Sequence, residues 1–171
     1  MGGRNVRSVP TVELLPDAGL TAAVRDAWAR LVDAGLPSLG RHPHPTNRPR
    51  LTLATAPALP PLGDVFGALP VPVRLSGVLA FGGERGALVW AVVPSRALLD
   101  LHAAVAATLD LSGDSHHAPG RWTPHLSLAL RATPQERAAA VLLLAGLPEV
   151  AGEFTAARSY EGTSRTTHPL P

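Results

Sequence analysis

A five-residue motif occurs twice in this chain, and this duplication constrains the fold more than any other feature. Residues 50–54 read RLTLA, residues 125–129 read HLSLA, and a proline precedes each copy. The second copy begins 75 residues after the first. Similar segments at a fixed offset indicate a duplicated structural unit whose copies pack against each other. We therefore predict two related halves.

The segments upstream of each motif copy also correspond. Apolar residues recur at helical spacing between Asp17 and Gly35, and again between Ser95 and Asp110. Asp17 and Ser95 are residue types that begin helices, and glycine commonly follows a helix end. Each predicted helix is preceded by an apolar strand and followed by a loop and its motif.

The same order of elements continues downstream, so each half reads strand, helix, loop, motif strand, helix, strand. The halves cover approximately 8–81 and 86–161 and are joined by a tight glycine-rich turn. We predict an α+β fold with two pseudo-symmetric lobes, in which antiparallel sheets flanked by helices surround a central cleft. Residues 1–171 should form a single domain.

The alternation of side chains along a strand predicts what the motifs present to that cleft. Alternate residues of a strand point to the same face. His125 and Ser127 therefore share one face, while the leucines between them point into an apolar layer; Arg50 and Thr52 share a face in the same way. The sequence predicts a polar site of about phosphate size between the lobes.

Composition excludes several classes of function. The formal net charge is only +2 and all 15 basic residues are arginines, so the pI of about 10.3 is not the charge footprint of a general nucleic-acid binder. The absence of cysteine excludes disulfides, cysteine zinc sites and cysteine nucleophiles. The longest apolar stretch, residues 138–147, is about half of what a membrane span needs. We expect a cytoplasmic protein without a membrane partner.

The second motif, with its preceding proline, resembles the His-x-Thr/Ser signature of the 2H phosphoesterases, the superfamily of bacterial 2′-5′ RNA ligases and RNA 2′,3′-cyclic phosphodiesterases. Members of that family carry two such motifs, one in each lobe, and this chain resembles them in having a duplicated motif. The resemblance covers most of residues 8–168. It implies phosphodiester chemistry without a metal or cofactor. One histidine is the general base, the other is the general acid, and the hydroxyls bind the phosphate.

Carried onto this chain, the resemblance implies that His125, Ser127 and Thr52 are catalytic. Ser127, Thr52 and Arg50 would bind the substrate phosphate. The expected partner is an RNA end or a small nucleotide with a cyclic phosphate, and the expected oligomeric state is a monomer. Arg121, Trp122 and Tyr160 are candidate contacts to a substrate base, although the sequence favours a core tryptophan at Trp122.

Arg50 is the departure from the family pattern, since it stands where the resemblance implies the first histidine. A guanidinium keeps its proton at physiological pH, so it cannot act as a general base, but it can hold a phosphate. One proton-transfer role is then vacant, and a positioned acid or base contributes about 10²–10⁴-fold in rate. His42 and His44, on the loop before Arg50, are candidates to supply it.

Three functions remain open from the sequence. The first is a phosphoesterase that opens a 2′,3′-cyclic phosphate to a 2′-phosphate, with 2′-5′ ligation as the reverse reaction and with activity reduced by Arg50. The second is a catalytically retired protein that still binds a nucleotide or RNA phosphate. The third is an interaction protein that keeps only the fold.

Overall fold

The computed structural model describes residues 9–111 and 113–171; Ser8, where the first predicted half begins, lies outside this range. The described residues form seven strands and three α-helices. The strands are β1 (Thr11–Pro16), β2 (Leu51–Thr55), β3 (Val71–Ala80), β4 (Gly86–Pro94), β5 (His125–Ala132), β6 (Val150–Glu161) and β7 (Thr166–Leu170). The α-helices are α1 (Ala18–Asp33), α2 (Arg96–Thr108) and α3 (Pro134–Leu144), and short 3₁₀ helices cover Leu39–Arg41 and Gly63–Ala68.

The helix starts predicted from the sequence are confirmed. The Asp17 carboxylate accepts a hydrogen bond from the N–H of Leu20 at 2.7 Å, and the Ser95 hydroxyl accepts one from the N–H of Leu98 at 3.1 Å. Each side chain satisfies a backbone donor that the first turn of a helix leaves unpaired. Gly35 follows α1 in the left-handed conformation, with φ of 71°, and so ends that helix.

All seven strands pair antiparallel in one sheet, in the order β1-β2-β5-β4-β3-β6-β7. An additional β1–β6 pairing closes the first six strands into a ring. The pattern of pairing is unchanged when β1, β2 and β3 are exchanged with β4, β5 and β6. The fold therefore has two pseudo-symmetric lobes, one built on β1, β2 and β6 and the other on β4, β5 and β3.

Each lobe takes its third strand from the other half of the sequence. β6 pairs with β1 over six residue pairs, and β3 pairs with β4. The sequence did not predict this exchange, because apolar alternation shows which face of a strand is buried but not which strand lies beside it. The helices follow the same exchange: α1 contacts β5 and β6 as well as β1, and α2 contacts β2 and β3 as well as β4.

The motif strands bury one face as predicted. Leu126 and Leu128 are fully buried, whereas His125 and Ser127 are half-buried. Leu51 and Leu53 are likewise buried in the one apolar core that runs between sheet and helices. In the described part of the chain, no helix combines the length and apolar character needed to cross a membrane.

Candidate active site

The two motif strands separate almost immediately after they meet. β2 and β5 share a single residue pair, Leu51 with Leu126. Beyond it, the carbonyl of Thr52 accepts a hydrogen bond from the indole N–H of Trp122, and the carbonyl of Ser127 accepts one from Trp28, each at 3.0 Å. The two tryptophan side chains thus take the place of further backbone hydrogen bonds between β2 and β5. The two strands separate beyond this point, and a cleft lies between them.

This arrangement leads to a stability prediction for the tryptophans. Trp28→Phe removes the donor to the Ser127 carbonyl, and Trp122→Phe removes the donor to the Thr52 carbonyl. Both bonds are partly buried, and an acceptor that burial keeps from water costs about 1–3 kcal/mol when it loses its partner. We expect each variant to lower the free energy of unfolding by that amount in urea titrations, and a loss below 0.5 kcal/mol (roughly the limit for a neutral substitution) would contradict it.

The four motif side chains line one small cavity at the base of the cleft. Its volume is about 40 Å³. The residues around it are Trp28, Leu39, Arg48, Pro49, Arg50, Thr52, His125 and Ser127. These residues include two arginines, one histidine and two hydroxyl residues, with no acidic residue among them, and such a set suits a compact anion.

The hydrogen bonds of His125 define which of its nitrogens is free. Nδ1 lies 2.7 Å from the carbonyl oxygen of Thr123, and because a carbonyl can only accept, Nδ1 carries the proton. In neutral His125 the lone pair is therefore on Nε2. Burial lowers the pKa of His125 below the ordinary 6.5, and the Thr123 bond offsets this only in part. At neutral pH the imidazole is uncharged and can accept a proton.

The His125 ring is also held by an aromatic contact. Phe81 meets it edge-on, with ring centroids 5.1 Å apart and planes inclined at 72°. This T-shaped geometry is a favoured one for aromatic pairs. Together with the Thr123 hydrogen bond, it restricts the orientation of the imidazole.

Arg50 is bound to a buried carboxylate behind the cavity. Its Nε lies 2.9 Å from Oε1 of Glu13, and its Nη1 donates to the carbonyl of Arg48 at 3.3 Å. Nε of Arg158 donates to the other oxygen of Glu13 at 2.8 Å. Glu13 is 1% exposed. One carboxylate therefore holds two guanidinium groups, and the three side chains together carry one positive charge.

Strand register explains how these three side chains meet. In the antiparallel pairings, Glu13 on β1 lies opposite Thr52 on β2 and opposite Arg158 on β6. Directly opposite residues share a face, and Arg50 shares the face of Thr52 because it lies two residues before it. Thr11 completes the group, since its hydroxyl donates to Glu13 at 3.0 Å.

A second, larger cavity adjoins the first and has a volume of about 580 Å³. Arg50 and Leu39 line both cavities. The remaining residues of the larger one are His42, Pro43, His44, Pro45, Thr46, Asn47, Leu130, Arg158, Tyr160 and Arg165. Arg50 is thus part of the wall between a small anion-sized cavity and a pocket with room for a nucleoside.

The other candidate residues from the sequence are distributed differently. Tyr160 lines the larger cavity, together with His42 and His44. Arg121 and Trp122 line neither cavity: Arg121 is exposed and bonds within its own loop, to Gly113 and Asp114. Trp122 stacks on the buried ring of His102, with centroids 3.9 Å apart, and donates to Thr52. These contacts favour the core reading of Trp122 over a contact to a substrate base.

Sequence reasoning missed Glu13, Arg158, Arg48 and Arg165. A weak signal exists for Glu13, which is the one charged residue in the otherwise apolar segment TVELLP. A buried charge in an apolar strand needs a partner, but the sequence does not show which strand supplies it. Within the described ranges, no group of three histidine, aspartate or glutamate side chains could hold a metal ion.

Comparison with known proteins gives a consistent assignment. A family model described as the 2′-5′ RNA ligase superfamily matches residues 24–160. No curated protein sequence matches the chain. Among solved structures, Usb1 of Kluyveromyces marxianus with uridine monophosphate is 15% identical with a TM-score of 0.55, over 96% of this chain and 98% of that chain.

LigT of E. coli is similar to the same extent. Its apo form is 16% identical with a TM-score of 0.54, and its complex with 3′-AMP is 16% identical with a TM-score of 0.52. Each match covers 96% of this chain and 95% of LigT. At these identities the likeness shows a common fold, and the family model spans most of the sequence. The chain belongs to the 2′-5′ RNA ligase superfamily, the family of the 2H phosphoesterases.

Proposed function

We propose that this protein opens the 2′,3′-cyclic phosphate of an RNA end or a small nucleotide to a 2′-phosphate. The observation that carries the proposal is the small cavity lined by residues of both motifs. One of them is His125, whose Nδ1 bonds to the Thr123 carbonyl, so that the lone pair of the neutral ring is on Nε2. The structures of Usb1 with uridine monophosphate and of LigT with 3′-AMP support a nucleotide ligand, because these proteins share the fold.

In this proposal His125 is the general base. Its Nε2 takes a proton from a water molecule while the water oxygen forms a bond to phosphorus. The bond from phosphorus to the 3′ oxygen then breaks, and that oxygen receives a proton from solvent. Thr52 and Ser127 donate their hydroxyls to phosphate oxygens; neither hydroxyl makes a side-chain hydrogen bond among the residues that the structure describes.

Arg50 takes the place of the first signature histidine and binds phosphate instead of transferring a proton. Its side chain is 29% exposed, and Glu13 orients the guanidinium. Arg48 is a second arginine that lines the same cavity. The two positive charges stabilise the negative charge that develops on phosphorus-bound oxygens, which compensates only in part for the missing acid.

His42 and His44 were candidates to supply that acid, but their position does not support this role. Both line the larger cavity and neither lines the cavity that contains His125. Nδ1 of His44 is occupied, since it accepts a hydrogen bond from the backbone N–H of Thr46 at 3.2 Å. We therefore expect turnover about 10²–10⁴-fold below that of a site with both acid and base.

The test is incubation of the purified protein with a short RNA that ends in a 2′,3′-cyclic phosphate, in the presence of a chelator. We expect slow appearance of a 2′-phosphate and no 3′-phosphate. A 3′-phosphate product would contradict the proposed bond cleavage. Tight binding of the RNA end with no product after long incubation would instead identify a retired binding protein.

A plot of kcat/KM against pH should rise to a plateau and show no fall at high pH. Because His125 must be neutral to accept a proton, kcat/KM rises as pH increases through its pKa, which burial holds below 6.5. Above this pKa the rate should stay level to about pH 9, since Arg50 keeps its proton throughout that range. Measuring kcat/KM from about pH 5 to pH 9 checks this. A bell-shaped profile would show that a second titrating group takes part.

A further inference from the structure

The larger cavity is lined by several basic residues. Besides Arg50 they are Arg158, Arg165, His42 and His44. None of the residues that line it is acidic. The nearby carboxylate of Glu13 is already held by two arginines. The proposed reaction uses none of Arg158, Arg165, His42 or His44.

Arg158 gives this cavity a fixed and buried charge. Its side chain is 7% exposed, and Nε and Nη2 are bound by Glu13 and by the carbonyl of Thr46. Glu13 supplies one negative charge to two guanidinium groups, so Glu13, Arg50 and Arg158 together keep one net positive charge beside the cavity. A buried charge is stabilised when an anion pairs with it.

Arg165 reaches the cavity from the turn between β6 and β7. Its backbone is in the left-handed region, with φ of 55°, which non-glycine residues adopt infrequently. The residue is exposed and lines the cavity. It therefore adds a solvent-exposed positive charge to the buried one of Arg158.

Most of the remaining lining residues are apolar or aromatic, with Thr46 and Asn47 as the polar ones, and this mixture suits a sugar or base. Leu130 is 47% exposed although it lies on the same strand as His125, and Tyr160, Pro43 and Pro45 lie around the same space. At about 580 Å³ the cavity is larger than a single phosphate needs.

We propose that the larger cavity binds a second phosphate group of the ligand whose reactive phosphate occupies the motif cavity. The substrate class is then a nucleotide or oligonucleotide end with at least two phosphate groups separated by a nucleoside. Arg158 and Arg165 hold the second phosphate, and Arg50 lies between the two sites. This inference rests on the proposed function for the position of the first phosphate.

Calorimetric binding of two nucleotides tests the inference without turnover. The probes are adenosine 2′-phosphate, a product of the proposed type, and adenosine 2′,5′-bisphosphate. We expect the bisphosphate to bind about 10–100-fold more tightly, as hydrogen bonds to charged groups imply. In Arg165→Asn this ratio should fall by at least about threefold, a change that a single screened charge can make; asparagine tolerates the left-handed backbone of this turn.

Arg96→Asn is the control, because Arg96 is an exposed arginine on α2 that pairs with Asp100 and lines neither cavity, and it should keep the wild-type ratio. Equal affinities for the two nucleotides, no binding of either, or an unchanged ratio in Arg165→Asn would overturn the inference. Ring opening of cyclic-phosphate RNA without a preference for the bisphosphate would refute the second site alone. A clear preference without ring opening would refute the proposed reaction alone.

Discussion

Replacing His125 with alanine should slow the opening of a 2′,3′-cyclic phosphate by about 10²–10⁴-fold, the contribution of a positioned general base. The expectation follows from His125 being the one histidine among the residues that line the motif cavity. Nδ1 is committed to the Thr123 carbonyl, so Nε2 is the atom that can accept a proton there. The measurement is the single-turnover rate on an RNA with a terminal cyclic phosphate.

Two controls separate a chemical effect from a structural one. His168→Ala removes an exposed histidine on β7 and should leave the rate unchanged. The fold of His125→Ala is checked by its urea midpoint, because the lost edge contact with Phe81 alone is worth about 0.5–1.5 kcal/mol. If folded His125→Ala turned over within about threefold of the unmodified protein, the proposed base would be wrong.

The sequence predicted the parts of this site that depend on local pattern. The motif duplication and the alternation along each strand placed Arg50, Thr52, His125 and Ser127 on facing strands, and these side chains line one cavity. Periodicity carries this information because a strand exposes alternate residues. The helix caps at Asp17 and Ser95 were also predictable from local sequence, because a cap is a contact between residues only three positions apart.

The contacts that could not be predicted from the sequence are those between strands and loops that are distant along the chain. Glu13 and Arg158 are 145 residues apart, yet they lie opposite each other because β6 joins the lobe of β1. No periodicity in either segment encodes that pairing. The role of Trp122 was unpredictable for the same reason, since the hydrogen bond from its indole to the Thr52 carbonyl joins residues 70 positions apart. This bond supports the cleft, whereas the sequence had made Trp122 a candidate contact to a substrate base.

The effect of Glu13 on stability should exceed that of any surface ion pair in the protein. Glu13→Gln removes the one negative charge between Arg50 and Arg158 and leaves the buried guanidinium of Arg158 without a counter-ion. Removing one partner of a buried ion pair costs about 3–5 kcal/mol. We expect urea unfolding to show a loss of that size.

A matched variant and a double variant decide whether buried charge is the cause. Glu149→Gln breaks the exposed pair with Arg74 and should cost at most about 1 kcal/mol. Adding Arg158→Met to Glu13→Gln removes the unpaired cation, so the double variant should recover most of the lost stability. Equal losses in Glu13→Gln and Glu149→Gln would mean that solvent reaches the group formed by Glu13, Arg50 and Arg158.

Because Glu13 also orients Arg50, the double variant should regain its stability but not its affinity for phosphate. This difference separates the two roles of the Glu13 carboxylate.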